Sequence, residues 1–337
     1  MYNLNKSILF LKKERYMAKK DVLSNNYFKD KDRVADLLNV YLYNGEQILA
    51  EKDIQEINPV LTKAWWNNDE LRTNENITDV LYLISIPTDG VEKTKIIVSI
   101  QNQSDISYIM PVRVMNADAN CYYAQWKDIS RNHVKDKPVN SGEFLSGFMK
   151  EDKILPVLSL VIYYGRKKWD GAKSLHQLMK LPENISQIQA YSLNLIEVRE
   201  YQKTDKFRTD IGEVFGFLQN DSSKELLEKY IEKHKEVFSD MREDAYDLIC
   251  IMSHTKRLRD LKIKYQEQGG NYNMCKAIDE MVQESRNEGK LEGKLEGENC
   301  ITRLYSILYN AGREEDIKRT FTDRSFRDRL LVEYGCK

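Results

Sequence analysis

Asp79-Val-Leu-Tyr-Leu-Ile-Ser85, Pro87-Thr-Asp-Gly90 and Lys95-Ile-Ile-Val-Ser-Ile-Gln-Asn-Gln103 read as strand, turn and strand. Both apolar runs are rich in β-branched and aliphatic residues, and the segment between them carries Pro, Asp and Gly, so a β-hairpin is the economical reading. Alternate residues of a strand share a face. Gln101 and Gln103 therefore stand together, and Asp79, at the start of the neighbouring strand, comes level with them. A carboxylate opposite two polar groups spaced i, i+2 is a pattern that can hold a hard cation. Gln101 stands where such a site would take a second carboxylate.

Outward from the hairpin, the apolar positions Val34, Leu37, Leu38 and Tyr41 recur at helical spacing within residues 30–44, and Gly45 ends the pattern. After the hairpin, Pro111 suits the first turn of a helix, which continues from Val112 to Ser130 and carries Arg113, Tyr122 and Gln125. Leu155 to Tyr164 is continuously apolar, as in a central strand covered on both faces, and Gly165 releases it. Tyr191 to Val198 reads as one further strand. From Lys206 to Lys264 the pattern is helical. Helix, hairpin, helix, strand, helix, strand implies an α/β fold with a mixed central sheet flanked by helices and a helical C-terminal region.

The C-terminal part differs in composition. Glu288-Gly-Lys-Leu-Glu-Gly-Lys-Leu-Glu-Gly297 repeats every four residues, so Gly289, Gly293 and Gly297 form a slowly drifting stripe on one helix face. Such a stripe permits close helix approach and self-association. It reads equally as a solvated linker helix weakened by its glycines, at about 1 kcal/mol each against Ala. Ile301 to Lys337 then makes a small helical unit around Leu304, Ile307, Leu308, Leu330 and Leu331. The boundaries that follow are an N-terminal extension over 1–19, a core over 20–200, a helical region over 201–284 and the glycine helix with its small unit over 285–337.

With 52 Lys and Arg against 53 Asp and Glu, the formal net charge is -1, so there is no global basic footprint. Any nucleic-acid surface has to come from local clusters. Two stand out: Arg166-Lys-Lys168, and Lys256, Arg257, Arg259, Lys262 and Lys264. Each also reads as a solvated face. The five cysteines show no CxxC spacing and the four histidines no HxxxH, which argues against a disulfide framework and against zinc. No apolar run is long enough to span a bilayer, and Ile8-Leu-Phe-Leu11 is too short for a signal sequence. A cytoplasmic protein is expected, with Met1 or Met17 as its start.

The chain resembles the recombination-promoting nuclease family, also known as YhgA-like transposases, within the PD-(D/E)XK nuclease superfamily. The likeness runs from about residue 20 to 337. It rests on Arg33-Val-Ala-Asp-Leu-Leu-Asn39, Thr78-Asp79-Val80, Ile100-Gln-Asn-Gln-Ser104, Met110-Pro-Val-Arg113 with Asp118, Tyr122 and Gln125, Leu155-Pro, Tyr163-Tyr-Gly165, Trp169-Asp-Gly171, Asn194-Leu-Ile-Glu197, Val214-Phe-Gly-Phe-Leu218 and the Glu-Gly-Lys repeat. The resemblance implies a site of one Asp followed by Glu-x-Gln. Asp79 matches the first acid and Gln103 the last position. Gln101 departs from the Glu, and Ala117 from a commonly aromatic position.

On that resemblance, Asp79, Gln101 and Gln103 are the catalytic candidates. Asp79 and Gln101 would hold Mg²⁺ or Mn²⁺ through oxygen atoms, and Asp36, Arg113 and Gln125 are accessory candidates. The implied activity is a metal-dependent DNA endonuclease linked to recombination or mobile elements, weakened by the charge lost at Gln101. The implied partners are DNA and a second copy of the chain through the C-terminal region. A catalytically inactive DNA-binding or regulatory protein on the same fold is the other reading.

Overall fold

The computed structural model describes residues 20–57, 63–67, 70–74, 80–87, 93–133, 140–183 and 186–335. The chain divides into two compact units, Met1–Cys275 and Lys276–Lys337.

The first described element of the first unit is a helix over residues 20–27 (α1), followed by α2, Lys31–Tyr43. Asp30 caps α2 by accepting from the backbone of Asp32 and Arg33. The helix stops at Asn44 and Gly45, whose φ angles of 55° and 97° lie in the left-handed region that Asn and Gly tolerate best.

The hairpin forms as expected. Its strands β4 (Val80–Ile86) and β5 (Thr94–Gln103) pair antiparallel, with Val80 opposite Ile100 and Ile86 opposite Thr94. Three short strands precede them: β1 (Ile54–Glu56), which pairs antiparallel with β4, and β2 (Lys63–Asn67) with β3 (Glu70–Asn74), a separate two-stranded ribbon. On the other side of β5, β6 (Val157–Tyr163) and then β7 (Asn194–Glu197) pair in parallel. The sheet order is β1-β4-β5-β6-β7. Parallel pairing of β5 with β6 requires a crossover, which α3 (Met110–Asn132) supplies, followed by the short α4 (Ser141–Ser146). This is the mixed α/β sheet that the element order implied.

The two faces of the sheet are covered by different helices. Ile97 clusters with Leu81 and with Cys121 of α3, while Val161 and Tyr163 cluster with Met110 and Val114 of the same helix. The odd-numbered residues of β5 and β6 thus face α3. The opposite face meets α2, where Tyr41 donates to Asn194 Oδ1 at 2.9 Å, and α5 (Ile211–Asn220), whose Phe215 packs edge-on to Tyr164. Helices α6 (Lys224–Lys233), α7 (Lys235–Ser239), α8 (Glu243–Met252) and α9 (Lys256–Leu261) follow. They realise the helical reading of Lys206 to Lys264.

The long helix α10, Met274–Asn310, passes through the glycine repeat without a break. In the second unit α11 (Glu314–Thr322) and α12 (Arg324–Glu333) fold against its end, and Leu304, Leu308, Leu330 and Leu331 form their core. Among the described residues no helix is long and apolar enough to cross a membrane.

Candidate functional site

The register of β5 against its neighbours sets the candidate site. Gln101 pairs with Val161 and Gln103 with Tyr163, so both amides share the face that α3 covers. Gln101 is buried and Gln103 is half-buried, which makes the last two residues of β5 a transition from core to surface. Arg113, in the first turn of α3, donates from Nη1 to Gln103 Oε1 at 3.2 Å. The structure therefore brings Gln101, Gln103 and Arg113 to one corner. Asp79 lies outside the described residues. Its chain neighbour Val80 pairs with Ile100, next to Gln101.

Among the described residues, Gln101 Nε2 and, two residues earlier on the same face, Ser99 Oγ are buried without a hydrogen-bond partner. Leaving such a group unsatisfied costs about 1–3 kcal/mol. A carboxylate lies close below. Asp118 of α3 accepts from Ser159 Oγ at 2.5 Å and from the Tyr191 hydroxyl, and Ser159 is the register partner of Ser99. Burial raises the Asp118 pKa, outweighing the two hydrogen bonds that stabilise its charged form. The sequence marked Asp118 only as part of a longer match; its place under the sheet follows from its position two turns along α3 from Met110 and Pro111.

The remaining accessory candidates are engaged elsewhere. Asp36 lies on α2, at the opposite face, where its Oδ2 accepts from the backbone of Arg208 and Thr209 and from Thr209 Oγ1 at 2.7–2.9 Å. It anchors the segment that leads into α5. Gln125 holds the Leu155 backbone at both ends, donating to its carbonyl at 3.2 Å and accepting from its N–H at 2.6 Å. With Tyr122, whose hydroxyl accepts from Val157 N–H at 3.0 Å, it aligns the entry to β6.

Because Gln101 supplies a neutral oxygen, the described residues fit a divalent cation only weakly. Among them no three His, Cys, Asp or Glu side chains gather in one place. A carboxylate at Asp79 would have to carry the charge. Gln101 can still turn its amide to present Oε1 in place of Nε2, since the two ends are nearly isosteric.

Where β5 and β6 end side by side, a cleft of about 530 Å³ opens, lined among others by Lys20, Asp105, Tyr108, Arg166, Lys167 and His254. Its floor is bare. A Cβ on Gly165 would come within 2.1 Å of the Tyr163 hydroxyl, which donates to the Lys167 carbonyl at 2.8 Å, while the ring packs edge-on against Trp169. The Arg166 guanidinium donates to Asp221 Oδ2 at 3.0 Å and to the Ser253 carbonyl at 2.8 Å. Arg199 grips the same carboxylate at 2.5 and 2.9 Å. His254 follows α8 with φ at 59°, a left-handed conformation uncommon for a non-glycine residue. Desolvation lowers its pKa, and Lys20, Arg166 and Arg199 lower it further against the pull of Asp105. The sequence flagged Arg166 to Lys168 as a basic cluster, but Lys20 and His254 join it only through the fold.

No curated protein and no solved structure matches the chain. One family model does, described as "Putative transposase, YhgA-like". The match covers residues 18–247, which contain the whole five-stranded sheet, α3, the polar corner at Gln101 and Gln103 and most of the residues around the cleft, and the chain belongs to this YhgA-like family.

Proposed function

We propose that the chain is a divalent-metal-dependent DNA endonuclease of mobile-element recombination, with Asp79, Gln101 and Gln103 as its catalytic set. The observation that supports this reading most is the β5 register, in which Gln101 and Gln103 share one face beside Arg113, with Val80 paired next to Gln101. Asp79 and the Gln101 amide oxygen would hold Mg²⁺ or Mn²⁺. When bound, such an ion polarises the phosphate and lowers the pKa of an attacking water. The Gln103 amide is too weakly basic to take a proton from water at neutral pH, so its role is to orient water or phosphate, and Arg113 holds the rotamer in which it does so. Arg113 also brings a guanidinium to the corner, where it can stabilise charge on the phosphate. Residues 285–337 pair two copies, which suits an enzyme that cuts both strands.

The test is plasmid cleavage with Mg²⁺ or Mn²⁺ by the wild type and by Asp79→Ala. Cation-dependent cleavage that Asp79→Ala abolishes would support the reading; equal activity in both would exclude Asp79 as an essential ligand. The absence of a carboxylate at Gln101 favours a second reading, a catalytically silent DNA-binding or regulatory protein. That reading predicts DNA binding with no cleavage under any cation.

A further inference from the structure

The cleft at the ends of β5 and β6 collects positive charge in a partly enclosed space. Lys20 is only 5% exposed, and Lys167 is exposed. Arg166 and Arg199 share the single carboxylate of Asp221, itself 3% exposed, so that group of three keeps one unbalanced positive charge. Asp105 is the acid of the lining against Lys20, Arg166 and Lys167. A concave site of one sign with low-dielectric walls focuses its field on a ligand of the opposite sign. At about 530 Å³ the cleft falls in the range of small-ligand sites, roughly 300–1,000 Å³, and would admit a phosphate with its sugar.

The rim adds a second chemistry. Tyr108 is 62% exposed, with its hydroxyl 3.5 Å from Asp170 Oδ2, so most of the side chain is open to a ligand. An exposed aromatic ring beside cations is the pairing that takes a base and its phosphate together.

We propose that this cleft binds a backbone phosphate of a nucleic-acid strand, with Arg166, Lys167 and Lys20 around the phosphate and Tyr108 beneath the adjoining base. Ser104, in the lining, directly follows Gln103, so a strand seated here would run on to the end of β5. The identity of the carrier rests on the nucleic-acid reading above, but the capture of phosphate does not depend on cleavage or on a cation.

Binding is therefore measured on the full-length protein in EDTA, by fluorescence anisotropy of a labelled single-stranded oligodeoxynucleotide, with inorganic pyrophosphate as competitor. Lys167→Glu alters an exposed side chain and leaves the backbone carbonyl that Tyr163 uses. Arg166→Gln removes the charge, with thermal unfolding as its check on folding. Each is expected to weaken oligonucleotide binding by about tenfold to a hundredfold, the loss typical of a hydrogen bond to a charged group. Pyrophosphate is expected to compete, and Tyr108→Ala to weaken the oligonucleotide while leaving pyrophosphate unchanged. Unchanged affinity in Lys167→Glu and in folded Arg166→Gln would overturn the site. Binding of pyrophosphate alone, with no oligonucleotide bound, would overturn the assignment to a strand. Neither outcome bears on the endonuclease reading, which stands or falls on cleavage.

Discussion

Arg33 grips Asp210 with two parallel bonds, Nε to Oδ1 at 2.7 Å and Nη2 to Oδ2 at 2.6 Å, from a position only 1% exposed. The same guanidinium reaches Asp244 at 2.5 and 2.9 Å, donates to the Tyr27 carbonyl and lies 3.9 Å over the Tyr27 ring. One side chain of α2 thereby joins the start of α5 to the first turn of α8, and both carboxylates sit at helix N-termini, where negative charge is favoured.

Arg33→Met should consequently cost stability, because it leaves two carboxylates facing an apolar stem. Removing one partner from a buried ion pair costs roughly 3–5 kcal/mol, and the partial exposure of Asp210 and Asp244 puts this case near the lower end. Arg33→Lys should recover only part of it, since an ammonium cannot make both two-pronged contacts. Urea unfolding followed by circular dichroism gives the difference. A loss below about 1 kcal/mol for Arg33→Met, the value of an exposed pair, would show that the network contributes little.

His254 should report on the cleft by its protonation. Its pKa lies below the ordinary 6.5 because desolvation and the cations Lys20, Arg166 and Arg199 disfavour the imidazolium, with Asp105 opposing them. As pH falls through 6.5, the unfolded chain takes up its proton before the folded one does. Stability contributed by this group is therefore present above that pH and is lost on acidification, until the folded value is passed. Asn tolerates a left-handed backbone, so His254→Asn keeps the turn and should flatten this part of the pH profile of the melting temperature. An imidazole titration by NMR at or above 6.5 in the wild type would contradict the assignment.

How far the sequence could be read depended on how local each signal was. The β4–β5 hairpin and β6 are encoded by apolar runs beside turn residues, and the termination of α2 by Asn44-Gly45, so all three were legible. β1 is three residues long and carries no pattern. The Lys63–Asn67 and Glu70–Asn74 ribbon mixes Lys, Trp, Glu and Arg without the alternation that marks a half-buried strand. For the site, strand periodicity was enough to put Gln101 and Gln103 on one face, whereas no spacing distinguishes a helix residue that meets phosphate from one that braces a backbone. Gln125 and Asp36 were open in that way until their partners Leu155, Arg208 and Thr209 were known. The cleft was out of reach, because Lys20, Asp105, Arg166 and His254 come from four distant segments.

Gln101→Glu tests the endonuclease reading directly. Gln and Glu are nearly isosteric, so β5 should keep its register while the corner gains the carboxylate that a hard cation favours. Tighter Mg²⁺ or Mn²⁺ binding by calorimetry and faster plasmid cleavage are expected. In the absence of cation the same change buries a carboxylate, so the variant should be less stable than wild type in EDTA and recover when cation is added. No gain in cation affinity, with cleavage at background, would remove position 101 from any metal site and leave the silent DNA-binding reading.

The glycine repeat of α10 permits the last prediction. Among the described residues a Cβ added at Gly289, Gly293 or Gly297 meets nothing within 4 Å, so their packing gives no reason for glycine at these positions. Leu291 and Leu295, four residues apart on the same helix, are 59% and 50% exposed. If the stripe lets two copies approach, light scattering should give twice the chain mass for the full-length protein and a single chain for one ending near Glu284. The triple change of Gly289, Gly293 and Gly297 to Ala then separates helix stability from association. Each Ala should favour the isolated helix by about 1 kcal/mol, which raises its melting temperature. In a dimer packed through the stripe, the same methyl groups hold the helices apart and lower the mass toward one chain. A rise in helix stability with no change in mass would identify α10 as a solvated connecting helix, and equal mass per chain for the full-length and shortened proteins would exclude self-association through residues 285–337.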